Sequence, residues 1–175
     1  IPMGVPFFTI KALVEAHNIV VFSSNYELYG DISNRMMQAI ATLAPNIEIY
    51  SIDECFTDLS QIPANQLNGL AHAIRNRVQQ WVGIPTCVGL APTQTLAKFC
   101  NHLAKKHPSL NGVANWNDWN SHQQQRALAS QPATAIWGIG RNIARQLSQL
   151  NIHTALDFSQ AEPAHIRRHF GTTLA

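Results

Sequence analysis

The stretch Glu48-Ile-Tyr-Ser-Ile-Asp-Glu-Cys-Phe-Thr-Asp58 decides the reading of this chain. Two β-prone runs, 47–52 and 55–59, flank the dipeptide Asp53-Glu54 and predict an antiparallel hairpin. Adjacent residues on a flat strand point to opposite faces, so these two carboxylates converge only if the chain turns between them. A hairpin supplies that turn and leaves both acids at a sheet edge among apolar neighbours. Oxygen donors in such a place suit a hard divalent cation, and Mg²⁺ in particular keeps waters and lets substrate phosphates complete its shell. Paired ions about 3.5–4 Å apart serve phosphoryl transfer, activating the attacking oxygen and stabilising the leaving one. Asp is equally a common turn residue, so the pair also reads as ordinary hairpin acids.

Working outward, the apolar spacing of Met36, Met37, Ile40 and Leu43 predicts a helix over 31–44, capped by Asp31 or Ser33 and stopped by Pro45. The run 18–23, Asn-Ile-Val-Val-Phe-Ser, predicts a short buried strand ahead of it. After the hairpin, Leu67, Leu70, Ala71, Ile74, Val78 and Trp81 mark a second helix. A strand follows over 84–91. Pro92 and Thr93 then open a helix that turns Leu96, Phe99, Cys100 and Leu103 inward and carries Lys98, Asn101 and Lys105 on its other face. A short closing strand is expected at 112–116. Residues 31–116 therefore read α-β-β-α-β with one further strand, an order close to a split βαβ sheet. From Asn117 the strand signals stop, and short helices are expected at 121–129, 134–137, 142–150, 154–158 and 163–170. A domain boundary falls near 115–120.

Composition sets limits. The 175 residues are 46% hydrophobic and 13% charged, which excludes a disordered chain. No run of 18 apolar residues occurs, so no membrane-spanning helix is expected. The start, Ile1-Pro-Met-Gly, has neither an initiator Met nor a basic segment ahead of an apolar one, and predicts a piece of a longer protein without a signal peptide. Cys55, Cys87 and Cys100 are few and widely spaced, as in reduced thiols of a cytoplasmic protein. Residues 1–58 hold seven carboxylates against two bases, whereas 59–117 hold five bases and no acid. That basic stretch suits a polyanion partner or a solvated helical surface.

A second motif is Ile136-Trp-Gly-Ile-Gly-Arg-Asn-Ile-Ala-Arg145. Gly138 and Gly140 allow positive φ and close backbone approach, and a helix follows at once. Amides at that helix start, with Arg141, can hold a nucleic-acid phosphate in the manner of a helix-hairpin-helix. A plain glycine turn between packed helices fits the same residues. Ile143 stands where a dinucleotide fingerprint needs a third glycine. His165 and His169 are spaced to chelate, but Arg167 and Arg168 between them favour a solvated basic face. No Walker loop, Gly-x-Ser-x-Gly elbow or Cys-x-x-Cys is present.

Taken together, Tyr50-Ser-Ile-Asp-Glu-Cys-Phe-Thr-Asp58, Val88-Gly-Leu-Ala-Pro-Thr-Gln-Thr-Leu-Ala-Lys98 and Leu103-Ala-Lys-Lys106 resemble the palm of Y-family translesion DNA polymerases. Phe22-Ser-Ser-Asn-Tyr-Glu-Leu-Tyr29 and Trp137-Gly-Ile-Gly-Arg141 are most similar to the UmuC branch of that family. The resemblance covers essentially the whole chain. It implies an α+β fold: a ferredoxin-like palm, a mixed sheet with two helices, followed by a small all-α thumb bearing the helix-hairpin-helix. Residues 1–30 would be a remnant of the fingers, 31–115 the palm and 116–175 the thumb. It implies error-prone, lesion-bypass addition of deoxynucleotides to a primer in DNA repair and the SOS response. Asp53 and Glu54 would be catalytic ligands of Mg²⁺, and Lys105 would contact the triphosphate. Gly138, Ile139, Gly140 and Arg141, with Lys98, would touch DNA. Partners implied are primer–template DNA, deoxynucleoside triphosphates, a UmuD-type accessory subunit and a RecA filament, all in the cytoplasm. The family's first metal-binding Asp, its steric-gate aromatic and its fingers Tyr and Arg would precede Ile1, and its little finger would follow Ala175. On that view the piece alone would lack activity, with an apolar groove where a middle palm strand belongs. Cys55 and Thr57 depart from the family's usual Ala and larger apolar residue. The competing readings are a non-catalytic helix-hairpin-helix DNA-binding module and a metal-dependent nuclease.

Overall fold

In the computed structural model, which describes residues 1–172 and 174, the order of elements follows the sequence pattern after residue 26. Helix α1 (Phe7–Ala16) was not anticipated; it buries only Val14, so its apolar residues give no one-sided period to read. The strand expected at 18–23 does not form. That segment has no ladder partner among the described residues and leaves Val20, Val21 and Phe22 exposed, because β-branched residues make a strand only where neighbours pair with them. Helix α2 (Tyr26–Ala41) starts earlier than expected. Its cap is Asn25, whose side chain accepts from the Leu28 amide, and Asp31 instead pairs with Arg35 one turn on, at 2.8 Å.

The hairpin forms as expected from β1 (Ile47–Ile49) and β2 (Cys55–Thr57), in the register Ile47–Thr57, Glu48–Phe56 and Ile49–Cys55. Helix α3 (Ala64–Val82) follows, then β3 (Val88–Leu90), α4 (Gln94–Lys106) and β4 (Val113–Asn115). β3 and β4 pair in parallel. Thr93 caps α4 by accepting from the Leu96 amide. The expected single mixed sheet is therefore two separate two-stranded sheets, and a cleft of about 1420 Å³ lies where β2 and β3 face each other. The fold is α+β, with small sheets covered by helices.

Packing explains the layers. Met36, Met37 and Ile40 of α2 meet Ile74 and Val78 of α3, with Ile47, Cys55 and Val88 against them. On the other side of β3–β4, Cys100 and Ala104 of α4 cover Ala114. α4 lies so close to β3 that a Cβ at Gly89 would overlap the Ala97 carbonyl and the Asn101 amide. Asn101 seals this contact by donating to the Cys87 carbonyl at 2.6 Å. Burial pushes the Cys100 thiol up to about 12, so it is an inert core residue.

Beyond β4 the structure is helical: α5 (Ser121–Ala129), α6 (Arg141–Gln149), α7 (Ala155–Gln160) and α8 (Pro163–Phe170). The helix expected at 134–137 is a single 3-10 turn, Ala133–Ala135, since Pro132 and the glycines at 138 and 140 leave no room for more. Ala133, Ile139, Leu147, Ile152 and Ile166 make this part's own core. Phe99 and Leu103 of α4 join it to the strand-bearing part of the chain through Trp116, Trp119 and Ile136. Ala175, the outer bound expected for the thumb, lies outside the described residues.

Candidate active site

The turn of the hairpin is built by three short bonds. The amides of Tyr50 and Ser51 both donate to the Glu54 carbonyl at 3.0 Å, and the Ser51 hydroxyl donates to Asp53 Oδ1 at 2.8 Å. These bonds close the chain into a tight turn around Asp53 and Glu54. Asp53 is exposed and Glu54 half-buried, and both line the cleft between the two sheets.

Helix α4 brings cations to the same edge. Lys98 Nζ lies 2.9 Å from Glu54 Oε2, with side chains only 23% and 35% exposed. Lys105 is two turns further along α4 on the same side, exposed, and lines the cleft with Lys98 and Asn101. Gln94, in the first turn, donates to Glu48 Oε2 at 3.1 Å and so ties α4 to β1.

The glycine loop forms the opposite wall. Thr134 to Gly140 face Tyr50, Glu54, Lys98, Asn101, His102 and Lys105 across a cleft of about 560 Å³. Gly138 has φ +90°, which a residue with a Cβ seldom adopts, whereas Gly140 has φ −83° and is the extended N-cap of α6. Of the two glycines that allow a positive φ, only Gly138 takes one. Ile139 is buried and its amide donates to the Ile136 carbonyl at 3.1 Å. By helix geometry the first-turn amides of α6 lack internal partners, and the exposed Arg141 stands beside them.

Two aromatic residues of the two motifs, Tyr50 and Trp137, organise this wall. Trp137 sits edge-on to Tyr50 at 5.2 Å and tilted against Phe56 at 5.6 Å. Its indole Nε1 donates to the Tyr50 hydroxyl at 3.1 Å. Lys98 Nζ lies 4.5 Å from the Tyr50 ring centre and 5.3 Å from that of Trp137. Both aromatics lie within the quoted motifs, but nothing local shows that they touch. His102, also on the cleft wall, contacts Gln131 Oε1 at 3.3 Å, which accepts from Lys106 as well. Burial, followed by the Lys106 charge, holds the His102 imidazole below its usual value.

Asp53 and Glu54 fit a divalent ion by donor chemistry, since both offer hard carboxylate oxygens on an accessible rim. Among the described residues no group of three or more His, Cys, Asp or Glu side chains gathers, so this pair alone is a partial donor set. His165 and His169 have their rings 4.6 Å apart on α8, and His169 Nδ1 is bonded to the His165 carbonyl. Among the described residues, no helix is long and apolar enough to cross a membrane.

Residues 1–102 match the impB/mucB/samB family. The chain is 42% identical over 173 residues to protein UmuC of Salmonella typhimurium, covering 98% of this chain and 40% of that protein. It is 30% identical over 175 residues to DNA polymerase IV of Brucella melitensis, covering 97% of this chain and 37% of that protein. It spans about two fifths of the curated relatives it matches. Among solved structures, an insertion ternary complex of Dbh DNA polymerase superposes with a TM-score of 0.76 at 28% identity, over 99% of this chain and 48% of that one. A DinB family error-prone DNA polymerase from Sulfolobus solfataricus gives 0.75 at 28% identity, over 99% and 52%.

Proposed function

Because the chain belongs to the impB/mucB/samB family, we propose that it forms the palm and thumb of a lesion-bypass DNA polymerase that adds deoxynucleotides to a primer end. One observation carries the reading: Asp53 and Glu54 share a rim with Lys98 and Lys105, and the Gly138–Gly140 loop faces Glu54 and both lysines across a cleft. That arrangement sits on a fold shared with DNA polymerases.

In this reading residues 31–115 are the palm, 116–175 the thumb and 1–30 part of the fingers. The groove between β2 and β3 accepts one further strand of the longer protein. Such a strand would join the two small sheets into a ferredoxin-like sheet and add a carboxylate beside Asp53. Asp53 and Glu54 would hold Mg²⁺, which when bound supplies Lewis-acid stabilisation of the developing charge. Lys105 binds the triphosphate as a point charge that needs no exact geometry. The unpartnered amides of α6 and Arg141 hold a backbone phosphate of the duplex, as a helix-hairpin-helix does, and so grip DNA without reading its sequence. The tight turn bonds around Ser51 fix both carboxylates before substrate arrives, which lowers the ordering cost at the reacting centre. The similarity to UmuC extends the proposal to a UmuD-type subunit and a RecA filament as partners, and to the cytoplasm as the place of action.

The test is extension of a labelled primer on a damaged template, with Mg²⁺, by the longer protein that carries this chain. Nucleotide-dependent lengthening supports the proposal. Duplex binding that is indifferent to Mg²⁺, without extension, identifies a DNA-binding module instead. Shortening of the primer without added nucleotides identifies a nuclease.

A further inference from the structure

Lys98 has three neighbours that all present negative charge or electron density. They are Glu54 Oε2 at 2.9 Å, the Tyr50 ring at 4.5 Å and the Trp137 ring at 5.3 Å. Its side chain is only 23% exposed, so these contacts count for more than on an open surface. Glu54 belongs to the β1–β2 turn, and Trp137 to the loop that leads into α6. The same cation therefore binds one of the two candidate metal ligands and the residue just before Gly138.

We propose that Lys98 is a positioning residue that stands in for a divalent ion at Glu54 and, through Trp137, couples the loading of that site to the seating of the Gly138–Gly140 loop. The inference rests on the reading that Asp53 and Glu54 hold a divalent cation. The reason for the coupling is electrostatic. A doubly charged ion on Glu54 repels the ammonium already 2.9 Å from the same carboxylate. When Lys98 backs away, Trp137 loses its cation and keeps its ring contacts with Tyr50 and Phe56 and the 3.1 Å bond to Tyr50. The loop then moves more freely toward a duplex. Linkage makes the effect reciprocal: whatever unseats Trp137 must also favour the ion.

The test uses the longer protein that carries this chain, with Mg²⁺ as the probe and two sets of NMR signals as readout. Backbone amides of Asp53 and Glu54 report ion binding, and the Trp137 indole N–H, assigned with Trp137→Phe, reports the loop. In the wild type, Mg²⁺ should shift both sets along one binding curve. In Lys98→Met the dissociation constant for Mg²⁺ should fall roughly fivefold, and the Trp137 signal should start displaced and stay put. Lys98→Arg keeps the charge and should restore the weaker affinity and the Trp137 response. A merely structural lysine would give a weaker ion site in Lys98→Met, not a tighter one. Mg²⁺ binding at Asp53 and Glu54 with an unmoved Trp137, or with unchanged affinity in Lys98→Met, overturns the coupling alone. An absence of Mg²⁺ response at Asp53 and Glu54 in every variant overturns the metal assignment and this inference with it.

Discussion

The indole Nε1 of Trp137 donates to the hydroxyl of Tyr50 at 3.1 Å, a bond between residues 87 positions apart. It ties the strand-rich first part of the chain to the helical second part at the mouth of the cleft that Glu54 lines. Three rings, Tyr50, Phe56 and Trp137, meet there within 6 Å centre to centre. Trp137→Phe keeps the ring contact and removes the donor. Because the bond is solvent-exposed, the variant should lose about 0.5 kcal/mol in chemical unfolding, with no change of secondary structure by circular dichroism.

Gly89 makes a sharper case. Replacement by Ala puts a Cβ into the Ala97 carbonyl and the Asn101 amide, both backbone atoms of α4 that cannot step aside. Gly89→Ala should cost about 3 kcal/mol, read as a drop in unfolding midpoint at constant m-value. Gly69 is the control. It is exposed within α3 with nothing near its missing Cβ, so Gly69→Ala should add about 0.5–1 kcal/mol.

The elements that the sequence foretold are those whose cause is local. Asp53-Glu54 between two β-prone runs makes a hairpin whatever surrounds it, and Thr93 caps α4 as its side chain and the period of Leu96, Phe99, Cys100 and Leu103 demand. The failures have non-local causes. Residues 18–23 have strand composition but no ladder to join. Asn25, not Asp31, starts α2, because the exposed turn Tyr26–Gly30 hides the apolar period from a reading that begins at the core residues. The sheet is a partial case: the mixed sheet implied by the resemblance, with a groove for a missing middle strand, stands as two two-stranded sheets beside a cleft, since strand order depends on what fills the space between β2 and β3. In the site, Lys98 and Lys105 were legible as one face of a helix. That Lys98 closes on Glu54, 44 residues earlier, was not.

Thr154 and Asp157 cap α7 reciprocally: the Asp157 amide donates to the Thr154 hydroxyl at 3.0 Å, and Asp157 Oδ2 accepts from the Thr154 amide at 2.8 Å. Thr154→Ala should cost about 1 kcal/mol. The amides of Thr154 and His153 hold the Asp157 carboxyl below its ordinary value. Its contribution is therefore complete above the unfolded-state value and is lost as pH falls through the lower folded-state one. Asp157→Asn should be less stable than wild type at neutral pH, and the gap should close in acid, as urea titrations at several pH values will show.

Arg141 is exposed in the first turn of α6. Arg141→Ala should weaken duplex binding equally for all sequences and reduce the slope of log affinity against log salt by about one. Fluorescence anisotropy at several salt concentrations measures both.

In the proposed reading, Asp53 and Glu54 carry the chemistry and the fold presents them. Asp53→Asn and Glu54→Gln keep shape and remove charge. Single-turnover nucleotide addition by the longer protein carrying either change, with primer–template affinity measured alongside, tests this most directly. Each variant should lose at least about a hundredfold in the rate of addition, with DNA affinity within about twofold of wild type. Addition at a near-normal rate by either variant would contradict it.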